Sequence, residues 1–289
     1  MASMRDIKRR KTSVESTQQI TKAMKLVSTV KLQRAKERAE KSKAYFICIY
    51  DTVKSILAKS GNIDHRFLNP SSSAKKAVIL LTGNRGLAGG YNSNLIKLIT
   101  KSEEFNKDNT VIYAVGRKGR DTLKRAGYEI KADFSDAIEE PIFKDALEIS
   151  KDVLKDFEAG EIGEIYLAYT YFKNTVSHTP TLIKLLPVDM EATKPEEEDR
   201  NEVMIPMNFE PQDEEALDLI IPKYVTSLIF GALIEAVASE NGARMQAMDS
   251  ATNNATEIID NLSLLYNRAR QSSITQELTE IIAGADAIS

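Results

Sequence analysis

Apolar residues recur along the first fifth of the chain at helical intervals. No Gly or Pro stands between Ser3 and Lys59, and Ile20, Ala23, Met24, Val27 and Val30 lie at offsets of 0, 3, 4, 7 and 10, the repeat of one helix face. Ser60-Gly61 supplies a stop signal, since glycine takes the left-handed conformation that ends a helix. A single helix of about 57 residues is predicted, some 85 Å long at about 1.5 Å per residue. Such an element is far too long for a compact domain.

A different regime opens at Ser71-Ser72-Ser73. Short apolar runs at 77–83 (AVILLTG), 110–116 (TVIYAVG), 164–170 (EIYLAYT) and 181–188 (TLIKLLPV) read as strands, and the stretches Ser93–Glu104, Arg117–Arg125 and Lys144–Glu158 between them read as crossover helices. The last two strands follow one another across a turn near Asn174–Pro180, so the sheet is expected to carry an antiparallel edge. Beyond the acidic, proline-bearing stretch Pro195–Pro211 the helical pattern returns and persists. Met245, Met248, Thr252, Ala255, Ile259, Leu262, Tyr266, Ala269 and Ser273 step by three and four in turn, a spacing that predicts a left-handed supercoil with a partner helix.

One long helix at each end and a sheet domain between them can hide both apolar stripes most simply by pairing the two ends. The predicted fold is therefore α/β: an antiparallel coiled coil of long N- and C-terminal helices with an inserted Rossmann-like α/β domain, a shaft carrying a knob. Its parts are residues 1–60 (first helix), 75–190 (α/β domain), 191–211 (acidic linker) and 212–289 (second helix). Between Ala238 and Ala255 the stripe is small as well as apolar, rich in Ala, Ser, Thr, Asn and Gly. Close helix packing accounts for this, and so does a shaft that must be slim because something surrounds it; both readings stand.

The 289 residues carry a formal net charge of -3, which hides a strong polarity along the chain. Met1–Lys43 holds thirteen Lys/Arg against four acids, whereas Glu191–Asp218 holds eleven acids against Lys194 and Arg200. Such asymmetry marks either an interaction surface or solvated helix faces. Between Met1 and Ala44 there is no Phe, Tyr or Trp to stack on bases or seat in a lipid interface, which argues against nucleic acid and membrane surface as targets of the basic helix. An acidic protein partner or the chain's own acidic segment matches it better. No uninterrupted apolar run reaches the roughly 20 residues of a membrane span. The lone Cys48 offers neither a disulfide framework nor a cysteine cluster, and the start MASMRDIKRR lacks the apolar core of a signal peptide. The expectation is a reduced, cytoplasmic protein without structural metal.

Chemistry-bearing motifs are scarce. Gly83-Asn84-Arg85-Gly86-Leu87-Ala88-Gly89-Gly90 follows an apolar strand and precedes a helix, where a phosphate-cradling loop would sit. It matches neither G-x-G-x-x-G nor G-x-x-x-x-G-K-[ST], so its glycines, Gly86 among them, are read as permitting a tight turn, with no cofactor bound. His65 beside Asp64 and His178 before Pro180 read as loop residues, and no nucleophile constellation is present. Two further classes stay open on these grounds: an α/β nucleotide-binding enzyme with helical dimerisation arms, and a basic nucleic-acid or membrane-surface module.

Ala238-Ser239-Glu240-Asn241-Gly242-Ala243-Arg244-Met245-Gln246-Ala247-Met248, the stretch Tyr266–Ile281 and the ending Ala283-Gly284-Ala285 closely resemble the gamma subunits of F-type ATP synthases, whose pattern Ile-Thr-x-Glu-x-x-Glu-x-x-x-Gly-Ala is specific to that family. Thr17–Ser28 resembles the family's N-terminal helix, and Arg85-Gly86-Leu87 with Gly89-Gly90-Tyr91-Asn92 resembles its glycine loop. Asn84 stands where an Asp is expected and Ala88 where many members carry Cys. No cysteine-bearing insertion of the light-regulated chloroplast kind and no transit peptide is seen, which points to a bacterial type.

The resemblance implies a central-stalk rotor with no catalytic site, no cofactor and no metal of its own. It couples ion flow to ATP synthesis or hydrolysis, and it is held peripherally at the cytoplasmic face of the bacterial plasma membrane. The implied partners are the alpha and beta subunits, the epsilon subunit and the c ring, with no nucleic acid. By the same resemblance, Met24, Arg270, Gln271, Thr275 and Glu277 are expected to meet the beta subunits, although these residues could equally solvate the outer face of a coiled coil. Phe209, Glu210 and Pro211, with Lys31 and Arg34 among the basic residues Lys31, Arg34, Lys36 and Arg38, are expected at the foot of the shaft near the c ring or epsilon.

Overall fold

The computed structural model describes residues 4–59, 65–69, 73–175, 177–188 and 213–286. Two long helices, α1 (Met4–Lys59) and α5 (Asp213–Asp286), bracket β1 (Lys76–Leu81), α2 (Tyr91–Thr100), β2 (Thr110–Val115), α3 (Arg117–Ala126), β3 (Glu129–Asp133), α4 (Phe143–Glu158), β4 (Glu164–Phe172) and β5 (His178–Leu186). The chain divides into two compact units, one formed by Met1–Thr29 with Arg244–Ser289 and the other by Val30–Ala243. The acidic linker lies outside the described residues.

In the larger unit the five strands form one sheet in the order β3-β2-β1-β4-β5. β1 pairs in parallel with both β2 and β4, β2 pairs in parallel with β3, and β5 runs antiparallel to β4 at the edge. The four apolar runs read from the sequence are all strands. β1 and β2 are covered on both faces, which is why their sequences are continuously apolar and do not alternate. β3 has no such signal: its pattern is Glu-Ile-Lys-Ala-Asp, with the charged positions exposed, and it serves as an edge strand.

Alternate residues of the strands feed two cores. Ala77, Ile79 and Leu81 of β1 face α4, through Ile149, Val153 and Phe157, and α5, through Leu217, Ile221, Val225, Ile229, Leu233 and Ala236. Val78 and Leu80 face Leu95 and Ile99 of α2 and Leu123 of α3. By length and composition alone, part of α5 between Leu217 and Gly284 could cross a membrane, a property that a count of uninterrupted apolar residues passes over. Its stretch Leu217–Ala236 is the core helix of the sheet unit, and burial there demands the same composition.

At its end within this unit α5 meets one end of the sheet. Ser239 Oγ donates to the Thr170 carbonyl at 2.8 Å, buried from solvent. The Phe172 main-chain N–H donates to the Glu235 carboxylate, whose pKa is pushed up to about 7 by burial, with that one hydrogen bond acting in the opposite sense. Glu235 Oε2 has no partner among the described residues. His178 begins strand β5 and is not a loop residue; it pairs with Phe172 across the hairpin. Its neighbour Pro180 sits on an edge strand, where a missing N–H costs no ladder bond. His65 lies in a turn as expected, yet is buried, its Nε2 3.1 Å from Asp218.

The smaller unit is a pair of antiparallel helical segments. Gln18 donates to Thr256 at 2.8 Å, the Thr21 and Thr252 hydroxyls lie 2.8 Å apart, and Lys25 bonds Asp249 at 2.6 Å; as one number rises the other falls. On α5 every position of the predicted three-and-four stripe, from Met245 to Ser273, is buried or half-buried. On α1 the period is right but the face is displaced. Ile7, Lys11, Val14, Gln18, Thr21, Lys25 and Ser28 face inward, while Ile20 and Val27 are 60% and 58% exposed and Val30 is exposed too. Polar residues enter the inward face beside Ile7 and Val14 because hydroxyl, amide and carboxylate partners stand opposite them, and most of the predicted apolar stripe is left on the outer surface.

Three outcomes are expected. Gly116 has φ of +120° and a Cβ there would fall 1.8 Å from the Thr82 carbonyl oxygen, so Gly116→Ala should cost about 3 kcal/mol or more. Gly86 has open space and no left-handed φ, contrary to the expectation that its freedom shapes the turn; Gly86→Ala should stay within about 0.5 kcal/mol in chemical denaturation. For Glu235, a folded pKa of about 7, above the ordinary glutamate value of 4.5, means that stability is full below about pH 4.5 and falls as pH rises through 7. Glu235→Gln should therefore leave the melting temperature unchanged at pH 5 and raise stability at pH 8 by about 2 kcal/mol after allowance for partial solvation.

Candidate partner-contact surface

The glycine loop is the one place where an α/β sheet of this kind commonly holds an anion, at a helix N-terminus beyond the strand ends. The helix that follows the loop is α2, and the loop itself engages the first-turn donors of the neighbouring α3. At the start of α3, Arg117 N–H bonds Asn84 Oδ1 at 3.0 Å, Lys118 N–H bonds the Gly83 carbonyl at 3.2 Å and Gly119 N–H bonds Thr82 Oγ1 at 2.9 Å. Asn84 also donates from its amide to the Ser135 carbonyl at 2.8 Å. An aspartate could accept but not donate, so the asparagine at this position ties the loop to two neighbours at once. A Cβ on Gly83 would lie 2.5 Å from Glu240 Oε1; a carboxylate therefore sits against the start of the loop, where a phosphate would be repelled. Leu87 and Gly89 carry the left-handed backbone, at φ of 62° and 55°.

The residues expected to meet partners lie on the helices. Arg270, Gln271, Thr275 and Glu277 are all exposed on α5. At about 100° per residue Arg270 and Glu277 share one side while Gln271 and Thr275 share another. The pairing register, Gln18 with Thr256 and Lys25 with Asp249, sets Arg270 level with the beginning of α1. Met24 is half-buried beside the Lys25–Asp249 pair, roughly 20 residues, or about 30 Å along α5, from Arg270. The structure thus gathers the four α5 residues and keeps Met24 apart from them.

Within the larger unit, Lys31, Arg34 and Arg38 line a cleft with Glu139, Glu140 and Pro141 of the loop before α4 and with Ile234 and Val237 of α5. Lys36 points elsewhere, its Nζ 5.3 Å from the centre of the Phe172 ring. Among the described residues, the acids that line this cleft with the basic ones are Glu139 and Glu140. Phe209, Glu210 and Pro211 lie outside the described residues.

Two features of the surface escaped the reading of the sequence. Ile274, Leu278, Ile281 and Ile282 are exposed and fall within an arc of about 100° on α5, an apolar face at spacings of 4, 3 and 1 that periodicity could have revealed. A cleft between the helices is lined by Asp6, Arg9 and Arg10 of α1 and by Leu262, Leu265 and Arg268 of α5, among others. Its basic rim depends on which side of each helix faces the other, which no linear count reveals.

A family model described as ATP synthase matches residues 3–288. The chain is 67% identical to the ATP synthase gamma chain of Lachnoclostridium phytofermentans over 100% of both sequences. It is 41% identical to the sodium ion specific ATP synthase gamma chain of Acetobacterium woodii, covering 99% of this chain and 98% of that one. Among solved structures, a chain of the Euglena gracilis mitochondrial ATP synthase, OSCP/F1/c-ring, aligns with a TM-score of 0.70 at 18% identity over 99% of this chain and 94% of that one, a likeness of fold.

Proposed function

The chain belongs to the ATP synthase gamma family, the non-catalytic central-stalk subunit of that enzyme, and on that premise we propose that it works as the rotor of a bacterial F-type complex at the cytoplasmic face of the plasma membrane. In this reading α1 and α5 form an antiparallel coiled coil that turns inside a ring of alternating alpha and beta subunits. The sheet unit lies toward the epsilon subunit and the c ring, with Lys31, Arg34 and Phe209–Pro211 near them. Catalysis belongs to beta, and the orientation of gamma biases which site is open.

The observation that carries the reading is the inverted character of the helical pair. Its seam mixes hydroxyl, amide and charged pairs with buried Met248, Ala255 and Leu262, while Ile20, Leu26, Val27, Ile274, Leu278 and Ile281 are turned outward. An exposed apolar surface of this kind favours a surrounding partner. Apolar contact is non-directional, so a sleeve of similar character can enclose it without holding one orientation. Arg270, with a rigid fork of donors, and Gln271 and Thr275, with hydrogen bonds that can be made and broken, suit carboxylates and polar loops passing by. Each such contact must be modest, about 1–3 kcal/mol, for turning to continue.

Met24→Lys and Arg270→Ala are expected to lower the number of ions pumped per ATP hydrolysed in membrane vesicles, with hydrolysis itself continuing. A wild-type ratio in both variants would remove these two side chains from the torque-bearing contact. Charge reversal at Glu210 should weaken attachment of the head to the membrane sector more than it alters hydrolysis by the detached head. Equal loss of both would place that segment elsewhere.

A further inference from the structure

A rotor has to pass torque between its sheet unit and its long helix, and most of the contact between them is unsuited to that. Ile221, Val225, Ile229, Leu233 and Ala236 hold α5 on the sheet through apolar burial, which resists separation but has no directional element against turning about the helix axis. Farther back, Thr226 bonds Ser150 at 2.7 Å and Asp218 bonds Arg66 at 2.9 Å, tying α5 to α4 and to the segment before β1, not to the strands.

Directional contacts with the strands gather in the turns just before α5 leaves this unit at Ala243. Ser239 donates to the Thr170 carbonyl at 2.8 Å, and Phe172 N–H donates to Glu235. Gly242 lies so near His178 that a Cβ would fall 2.5 Å from the ring Nε2. Glu235, Ser239 and Gly242 stand at i, i+4 and i+7, one face of the helix. On its flank the Glu240 carboxylate fills the space beside Gly83, 2.5 Å from where a Cβ would be. The partners are the residues just past β1, the last residues of β4 and the first of β5, and they lie at one end of the sheet because Phe172 is paired with His178. Slipping α5 by a single residue would turn this face by about 100° and break every one of these contacts together.

We infer that Glu235, Ser239, Glu240 and Gly242 form a keyed joint that fixes the rotation of α5 against the end of the sheet and carries torque between them. These are positioning residues, and the inference rests on the rotor reading above. A bead attached to the single exposed cysteine, Cys48, of an immobilised alpha-beta-gamma complex reports the angular fluctuation of the sheet unit about its pauses. Ser239→Ala removes one of the two hydrogen bonds to the strands, so the angular variance should widen roughly two-fold. Ile229→Val, which trims the apolar contact alone, should leave the variance at the wild-type value although it lowers the melting temperature similarly. Should Ser239→Ala fail to assemble, His178→Ala, which removes the wall that Gly242 rests on, is expected to widen the variance in the same way. Wild-type variance in the joint variant, or equal widening in Ile229→Val, overturns the joint. A wild-type complex that hydrolyses ATP while its bead never turns overturns the rotor reading instead.

Discussion

The structure depends on one helix burying two unlike faces in succession. From Leu217 to Ala236, α5 presents large aliphatic side chains to the sheet, each contributing about 1.5–3 kcal/mol when removed from water. From Met245 to Ser273 it presents a mixed stripe to α1, with Met248, Ile259 and Leu262 beside the smaller Thr252 and Ala255. The first contact supports the sheet unit, since α5 shares with α4 the covering of one face of β1, β2 and β4. The second is thin, and depends on hydroxyls and amides finding partners. Because both belong to one continuous helix, the demands of the sheet and those of the helical pair are met by a single chain of i→i−4 hydrogen bonds.

The change of character occurs in the turns Glu235–Gly242, where side chains are small or specifically bonded. Ser239 and Gly242 bring the backbone of α5 close to β4 and β5, closer than any Leu or Ile would allow. Small residues in this stretch serve close approach, one of the two explanations their composition allows. Glu235, its pKa pushed up to about 7 by burial and its carboxylate held by a single main-chain donor, lowers stability at alkaline pH. It remains tolerable because the apolar contact behind it is extensive.

The glycine loop at the end of β1 is tied to its neighbours, since Thr82, Gly83 and Asn84 accept from the first-turn N–H groups of α3 and the Glu240 carboxylate stands against its start.

Much was legible in the sequence where one physical signal dominated. Apolar runs identified β1, β2, β4 and β5, continuous in β1, β2 and β4 because strands covered on both faces admit little else, and the three-and-four stepping of Met245–Ser273 identified the buried face of α5. The motifs at Ala238–Met248 and Tyr266–Ile281 carried the family. Other features were settled only by tertiary structure. β3 is a strand because an edge needs only backbone pairing, not an apolar run. The seam of α1 runs through Thr21 and Ser28 and not through Ile20 and Val27, because polar side chains can be buried once partners such as Thr252 stand opposite. The joint at Ser239, the carboxylate at Gly83 and the distance between Met24 and Arg270 belong to the same class. Periodicity determines that a helix has an inner face; which residues occupy it depends on what the neighbouring element offers, and that is a property of the folded chain.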